Sequence, residues 1–114
     1  MEDLPVIQKA YDLILWYVPI LNRLPRDQKF ALGDRIVSSL YDLHEGLILA
    51  RYDKQRSARL ETLNGTLDVL HHQTRLLLDF DLISPDRYAH AAKLINDVGV
   101  ELGGWIKQQK RSVQ

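Results

Sequence analysis

Apolar residues recur at steps of three and four along nearly the whole chain, and no stretch alternates in the two-residue rhythm of a strand. Helices are therefore expected throughout. Leu4, Ile7, Tyr11, Ile14, Val18 and Leu21 line one face of a first helix, from Pro5 to Asn22. Pro5 suits its opening turn, where a missing N–H costs nothing. Pro19 removes one bond of the ladder and is expected to bend the helix near Leu15. After a connection over Arg23 to Asp27, Pro25 restarts a helix, with Asp27 in a first turn that favours negative charge. Its stripe is Phe30, Gly33, Val37, Leu40, His44 and Leu47, and Gly33 is expected to permit close backbone approach.

The next boundary carries neither Gly nor Pro. One helix from Asp27 to Asp79 would be roughly 80 Å long at 1.5 Å per residue, too long for so small a chain to cover. A turn is therefore expected within Asp53 to Ser57. Leu60, Leu63, Leu67, Leu70, Thr74 and Leu77 form the third stripe. Asn64-Gly65 is ordinarily a turn signal, but the stripe continues in phase across it, so the helix is expected to continue as well. Ser84-Pro85-Asp86 supplies a cap, a proline and an acid for the fourth helix. Tyr88, Ala91, Ile95, Val98, Leu102 and Trp105 follow on one face, with Ala92, Gly99 and Gly103 as small positions where a neighbour can come close.

Four stripes joined by short connections make an all-α fold, an antiparallel four-helix bundle. One domain is expected over residues 1–109, with 110–114 as a disordered tail. The first helix and the end of the fourth carry more apolar surface than one narrow core needs. Trp16, Tyr17, Ile20, Trp105 and Ile106 are expected at the interface of a homo-oligomer. The alternative is that bulky side chains fill the ends of the bundle.

The absence of cysteine excludes disulfides and thiolate metal sites. Met1-Glu2-Asp3-Leu4-Pro5 lacks the basic region of a secretory signal. The apolar run from Leu13 to Leu21 is shorter than the roughly 20 residues a bilayer requires. A cytoplasmic protein without membrane contact is expected. Asp68 and His72 lie one helical turn apart, but two ligands are fewer than a metal site wants, and the adjacent His71 diverges by about 100°. His44 reads as a core histidine and His90 as a surface one. Asp42, Glu45 and Glu101 make no dyad aimed at one cavity, and Gly103-Gly104 ends a helix without the preceding strand of a phosphate loop. The chain is not expected to be an enzyme or to hold a cofactor.

Charge changes the picture more. Fifteen basic and fifteen acidic residues cancel, yet Arg51, Lys54, Arg56 and Arg59 gather at the expected turn and Lys107, Lys110 and Arg111 at the chain end. Local basic surface of this kind suits a polyanion or an acidic protein face. Repetition around a symmetry axis would strengthen it.

Tyr11-Asp12-Leu13 with Trp16 and Pro19, Leu24-Pro25-Arg26, and Leu32-Gly33-Asp34-Arg35-Ile36 follow one another in order. They continue in Glu45 through Tyr52, Asp81-Leu82-Ile83-Ser84, Arg87-Tyr88 and Gly99 through Ile106. Together they resemble the accessory variability determinant proteins of diversity-generating retroelements, in the four-helix family that includes proteins of 23S rRNA intervening sequences. The resemblance implies a barrel-like homopentamer and no catalysis of its own. It implies binding to the retroelement's reverse transcriptase and to template-repeat RNA or cDNA, in support of mutagenic retrohoming. The family's basic interaction surface carries over onto Arg23, Arg26, Arg51, Lys54, Arg56 and Arg59, and onto Lys107, Lys110 and Arg111. Family members are strongly basic overall and this chain is neutral, which shifts weight toward the protein partner, since protein can read mixed charge. The alternative reading is a structural or protein-binding module of the intervening-sequence type, without direct nucleic-acid binding.

Overall fold

The computed structural model describes residues 4–112, with the side chain of Ser112 excepted. Helix α1 spans Pro5–Leu21, with Pro5 at its start and Pro19 inside it. A short helical turn, α2 (Arg26–Gln28), leads through a π-helical turn (Lys29–Gly33) into α3 (Asp34–Ala50). Helices α4 (Arg56–Asp79) and α5 (Pro85–Ser112) complete the chain. The four long helices form the all-α, four-helix arrangement that the stripes require. The acidic start at Met1 to Asp3 lies outside the described residues. Of the tail expected from Lys110, α5 covers the part up to Ser112, and residues 113–114 lie outside the described residues.

Each long helix packs against two neighbours, in the cycle α1–α3–α4–α5. Across the centre, the Tyr17 hydroxyl of α1 meets the Thr74 hydroxyl of α4 at 2.9 Å, and Thr74 also donates to the Leu70 carbonyl. These two buried polar side chains satisfy each other inside a core of Leu13, Leu43, Leu60, Leu70, Ile95 and Leu102, all fully buried. The third stripe stays inward across Asn64-Gly65, with Leu63 and Leu67 buried and the helix unbroken.

The second helix departs from the single regular helix its sequence suggests. Gly33 sits at the end of the π turn, where an added Cβ would lie 3.2 Å from the Gln28 carbonyl oxygen and 3.4 Å from Leu24. The close approach expected at Gly33 is thus to its own preceding turn, which the wider π geometry brings against it. The helix–helix approach is made by Gly46 of α3 instead. A Cβ there would overlap Leu63 Cδ2 of α4, with Cδ1 at 3.2 Å. On α5, Gly99 lies against Leu67, whereas Gly103 faces nothing within 4 Å.

The connections are chemically specified. Asp81 takes a left-handed φ of 58° at the end of α4. Its N–H donates to the Leu78 carbonyl and the Leu82 N–H to the Leu77 carbonyl, the paired bonds that close a helix end. Ser84 then caps α5, its Oγ accepting from the Arg87 N–H at 3.1 Å.

Two outcomes follow in denaturant melts. Gly46→Ala should destabilise the protein by about 1–3 kcal/mol through overpacking. Gly65→Ala, with open space at its Cβ, should stabilise it by roughly 0.5–1 kcal/mol through helix propensity. A third concerns pH. Burial pushes the Tyr17 phenol up to about 12, against the opposing effect of its hydrogen bond to Thr74. The folded state therefore resists ionisation that the unfolded chain undergoes near the ordinary value of 10.0. This contribution is complete below that pH and lost as pH rises toward 12, in total about 3 kcal/mol. Tyr17→Phe should show a correspondingly smaller loss of stability between pH 9 and pH 12, about 2 kcal/mol less by chemical denaturation.

Candidate functional site

The two basic groups that the sequence separates by about fifty residues share one end of the bundle. That pole is built from the start of α1, the turn between α3 and α4, and the end of α5. Leu4 and Pro5 line one groove with Trp105 and Gln108, Arg56 reaches Gln109, and Lys110 lies 3.6 Å from Glu61. Arg51, Lys54, Arg56, Arg59, Lys107, Lys110 and Arg111 thus share an end of the bundle with the acids Asp53, Glu61 and Glu101, the last lining the same groove as Trp105 and paired with Lys9 at 3.6 Å. Arg23 and Arg26 are exposed at the opposite pole, in the connection between α1 and α2 and at the start of α2. The structure does not bring them to the main group.

Arg56, the first residue of α4, holds the pole together. Its Nε donates to the Ala50 carbonyl and its Nη2 to the Arg51 carbonyl, both at 2.7 Å. Both acceptors lie where α3 ends, and the Ala50 carbonyl has one other bond, a long one of 3.4 Å from the Asp53 N–H. A cation there also complements the negative end of the helix dipole. Its Nη1 donates to Gln109 at 3.3 Å, and the guanidinium stands 5.8 Å from the centre of the Trp105 ring, within reach of a cation–π contact. One side chain thereby joins three helices. Its donors point into the protein, so Arg56 is a structural member of the site.

Asp53 organises the rest of the turn. One carboxylate oxygen accepts from the Gln55 N–H at 2.8 Å and the other from Arg59 Nε at 2.6 Å. The hydrogen bond from Arg59, then that from Gln55, holds the Asp53 carboxyl below the usual carboxylate range. Lys54, Lys107 and Arg111 are exposed, with no ion pair among the described residues. In the same turn as Lys54, Tyr52 is 74% exposed, the highest value for any large apolar side chain described, with the Arg51 guanidinium 5.9 Å from its ring centre.

The five aromatic and aliphatic residues expected at an oligomer interface divide. Tyr17 is 1% exposed, so one chain already covers it. Trp16, Ile20, Trp105 and Ile106 are half-buried and pack on the rim of their own core. Trp16 also meets the exposed His90, the rings 4.9 Å apart. Exposed apolar side chains include Tyr11 and Leu15 of α1 and Tyr41, Ile48 and Leu49 of α3, and others are scattered at Phe30, Val69, Leu76, Phe80 and Val100. The Tyr11 ring stands 5.9 Å from that of the half-buried His44, so α1 and α3 contribute to a common face.

Sequence reasoning missed that face, the inward role of Arg56 and the exposure of Tyr52. Tyr11, expected on the inward stripe of the first helix, is instead exposed, because α3 leaves that edge of α1 open; the other two depend on tertiary neighbours. Asp68 and His72 form an exposed pair at 3.8 Å. Among the described residues no three of His, Asp and Glu come together as a metal site would need. Nor is any described helix long and apolar enough to cross a membrane.

Fold and site define a four-helix module whose distinctive chemistry is surface charge gathered at one pole. A protein-family model described as bAvd-like matches residues 5–109, and the chain belongs to that family, the accessory variability determinant proteins. Membership carries a general accessory-protein role. No curated protein matches the chain.

The division of the cations can be measured by thermal or urea unfolding. Arg56→Ala should cost about 1.5–3 kcal/mol, since it removes charge-assisted bonds to two carbonyls and leaves that of Ala50 with only the 3.4 Å bond from the Asp53 N–H. Lys54→Ala, a few residues away, should stay within about 0.5 kcal/mol of the parent protein.

Proposed function

We propose that this protein is the accessory subunit of a diversity-generating retroelement, joining the reverse transcriptase to template RNA or its cDNA in support of mutagenic retrohoming. It acts as a barrel-like homopentamer and performs no catalysis of its own. The observation that carries this reading is the convergence of the α3–α4 turn and the end of α5 into one cationic pole, in a chain that belongs to the bAvd-like family. Lys54, Lys107 and Arg111 are the cations open to phosphates, while Arg51 and Tyr52 flank them. A cyclic assembly repeats this modest patch around its axis, so a chain of zero net charge can still hold a polyanion. The exposed face of α1 and α3, with the half-buried Trp16 and Ile20 at its margin, supplies apolar surface for neighbouring subunits.

A protein-only role is the second reading, and one observation favours it. Arg56, Arg59 and Lys110 already have partners within the chain, which reduces the charge left for RNA. On that reading the protein captures reverse transcriptase and has no measurable affinity for free RNA.

Fluorescence anisotropy with a labelled RNA oligonucleotide separates the two. Binding should weaken steeply between 50 and 200 mM salt, as counterion release requires. Lys54→Glu, Lys107→Glu and Arg111→Glu combined should reduce affinity at least about tenfold and flatten the salt dependence. Affinity unchanged by the triple substitution would remove the pole as the nucleic-acid site. Native mass spectrometry should give a particle of five 13.2 kDa chains, and a monomer would contradict the assembly.

A further inference from the structure

Tyr52 presents an aromatic ring to solvent in the basic turn between α3 and α4, and the surrounding turn is built to hold it there. Its N–H donates to the Leu49 carbonyl at 3.0 Å, a three-residue bond that tightens the chain just past the last residue of α3. The carbonyls of the two preceding residues, Ala50 and Arg51, are both gripped by Arg56. The residue after it, Asp53, is bound by Gln55 and Arg59. The backbone on either side of Tyr52 is therefore pinned by charge-assisted bonds, while the side chain is 74% exposed. Leaving that much ring in water gives no folding stability, because burial is what makes an aromatic side chain stabilising. The exposed lysine at position 54 and the Arg51 guanidinium, 5.9 Å from the ring centre, place positive charge beside it.

A rigidly mounted aromatic ring with cations around it is the arrangement that holds single-stranded nucleic acid. The cations track the phosphates while the ring stacks on a base, whose π-face is open only when the strand is unpaired. We infer that Tyr52 is a stacking platform for an unpaired RNA base, and that it gives this pole a preference for single-stranded over duplex RNA. The inference rests on the proposed nucleic-acid role of the same pole and adds to it the strandedness of the ligand and the residue that reads it. In a duplex the bases are stacked on one another, so Tyr52 contributes nothing and only the phosphate contacts remain.

The test compares Tyr52→Ala and Tyr52→Phe with the parent protein. Two labelled probes of equal length are used, a single-stranded RNA and its duplex, in fluorescence anisotropy at one fixed salt concentration. The loss of one stacked base corresponds to about a tenfold weakening. Tyr52→Ala should show this with the single strand and leave duplex affinity unchanged, and Tyr52→Phe should retain single-strand affinity. The high exposure of Tyr52 makes the variants safe for the fold, and circular dichroism melts coincident with the parent will verify this. If Tyr52→Ala binds the single strand as the parent does, while the triple charge variant at Lys54, Lys107 and Arg111 loses both probes, the stacking platform is wrong and the cationic pole stands. If the parent binds neither probe, both ideas fall. If Tyr52→Ala instead abolishes capture of purified reverse transcriptase with single-strand affinity intact, the ring belongs to a protein contact and the inference is overturned.

Discussion

The guanidinium of Arg56 is the interaction on which the basic end of this molecule depends. A helix leaves carbonyls at its C-terminus without partners, and α3 ends beside a charged turn that must also reverse the chain. Arg56 answers both needs at once by binding the carbonyls of Ala50 and Arg51 from the first residue of the next helix. Its contacts with Gln109 and Trp105 bring the end of α5 to the same place. The planar fork matters here, because a lysine ammonium could not direct separate donors at two carbonyls, an amide and an indole face.

From that clamp the rest of the pole follows. Once the turn is fixed, Asp53 can bind Gln55 and Arg59, Lys110 comes within reach of Glu61, and Lys54, Lys107 and Arg111 are left facing water. A cluster that looks uniform in the sequence is thus two populations. One part is consumed in holding the turn and the helix ends together. The other is free to meet phosphate or acidic side chains. A net charge of zero conceals this because acids are distributed along α4 and α5, outside the pole as well as within it.

Much of the architecture was legible because burial imposes a period. The stripe from Leu60 to Leu77 kept its phase across Asn64-Gly65, and the helix did the same. The turn before Arg56 could be inferred from length alone, and Ser84 caps α5 as its sequence implied. The π turn at Lys29–Gly33 was not legible, since five residues are too few to distinguish its wider pitch from an ordinary stripe. At the site, sequence located the cations but not their tasks. Arg56 differs from Lys54 only through carbonyls and an indole supplied by other parts of the fold. Tyr17 and Trp16 are neighbours about 100° apart on α1. Only the positions of α4 and α5 decide that the first goes to the core and the second to its rim.

On the proposed function, nucleic acid meets the bundle at the α3–α4 turn and the end of α5. Photocrosslinking of a 4-thiouridine-substituted single-stranded RNA to the intact protein, followed by peptide mapping of the adducts, tests it most directly. Adducts should concentrate in residues 51–59 and 104–111, contributed by segments far apart in sequence. Adducts concentrated instead around Arg23, Arg26 and Phe30, at the opposite pole, would contradict it.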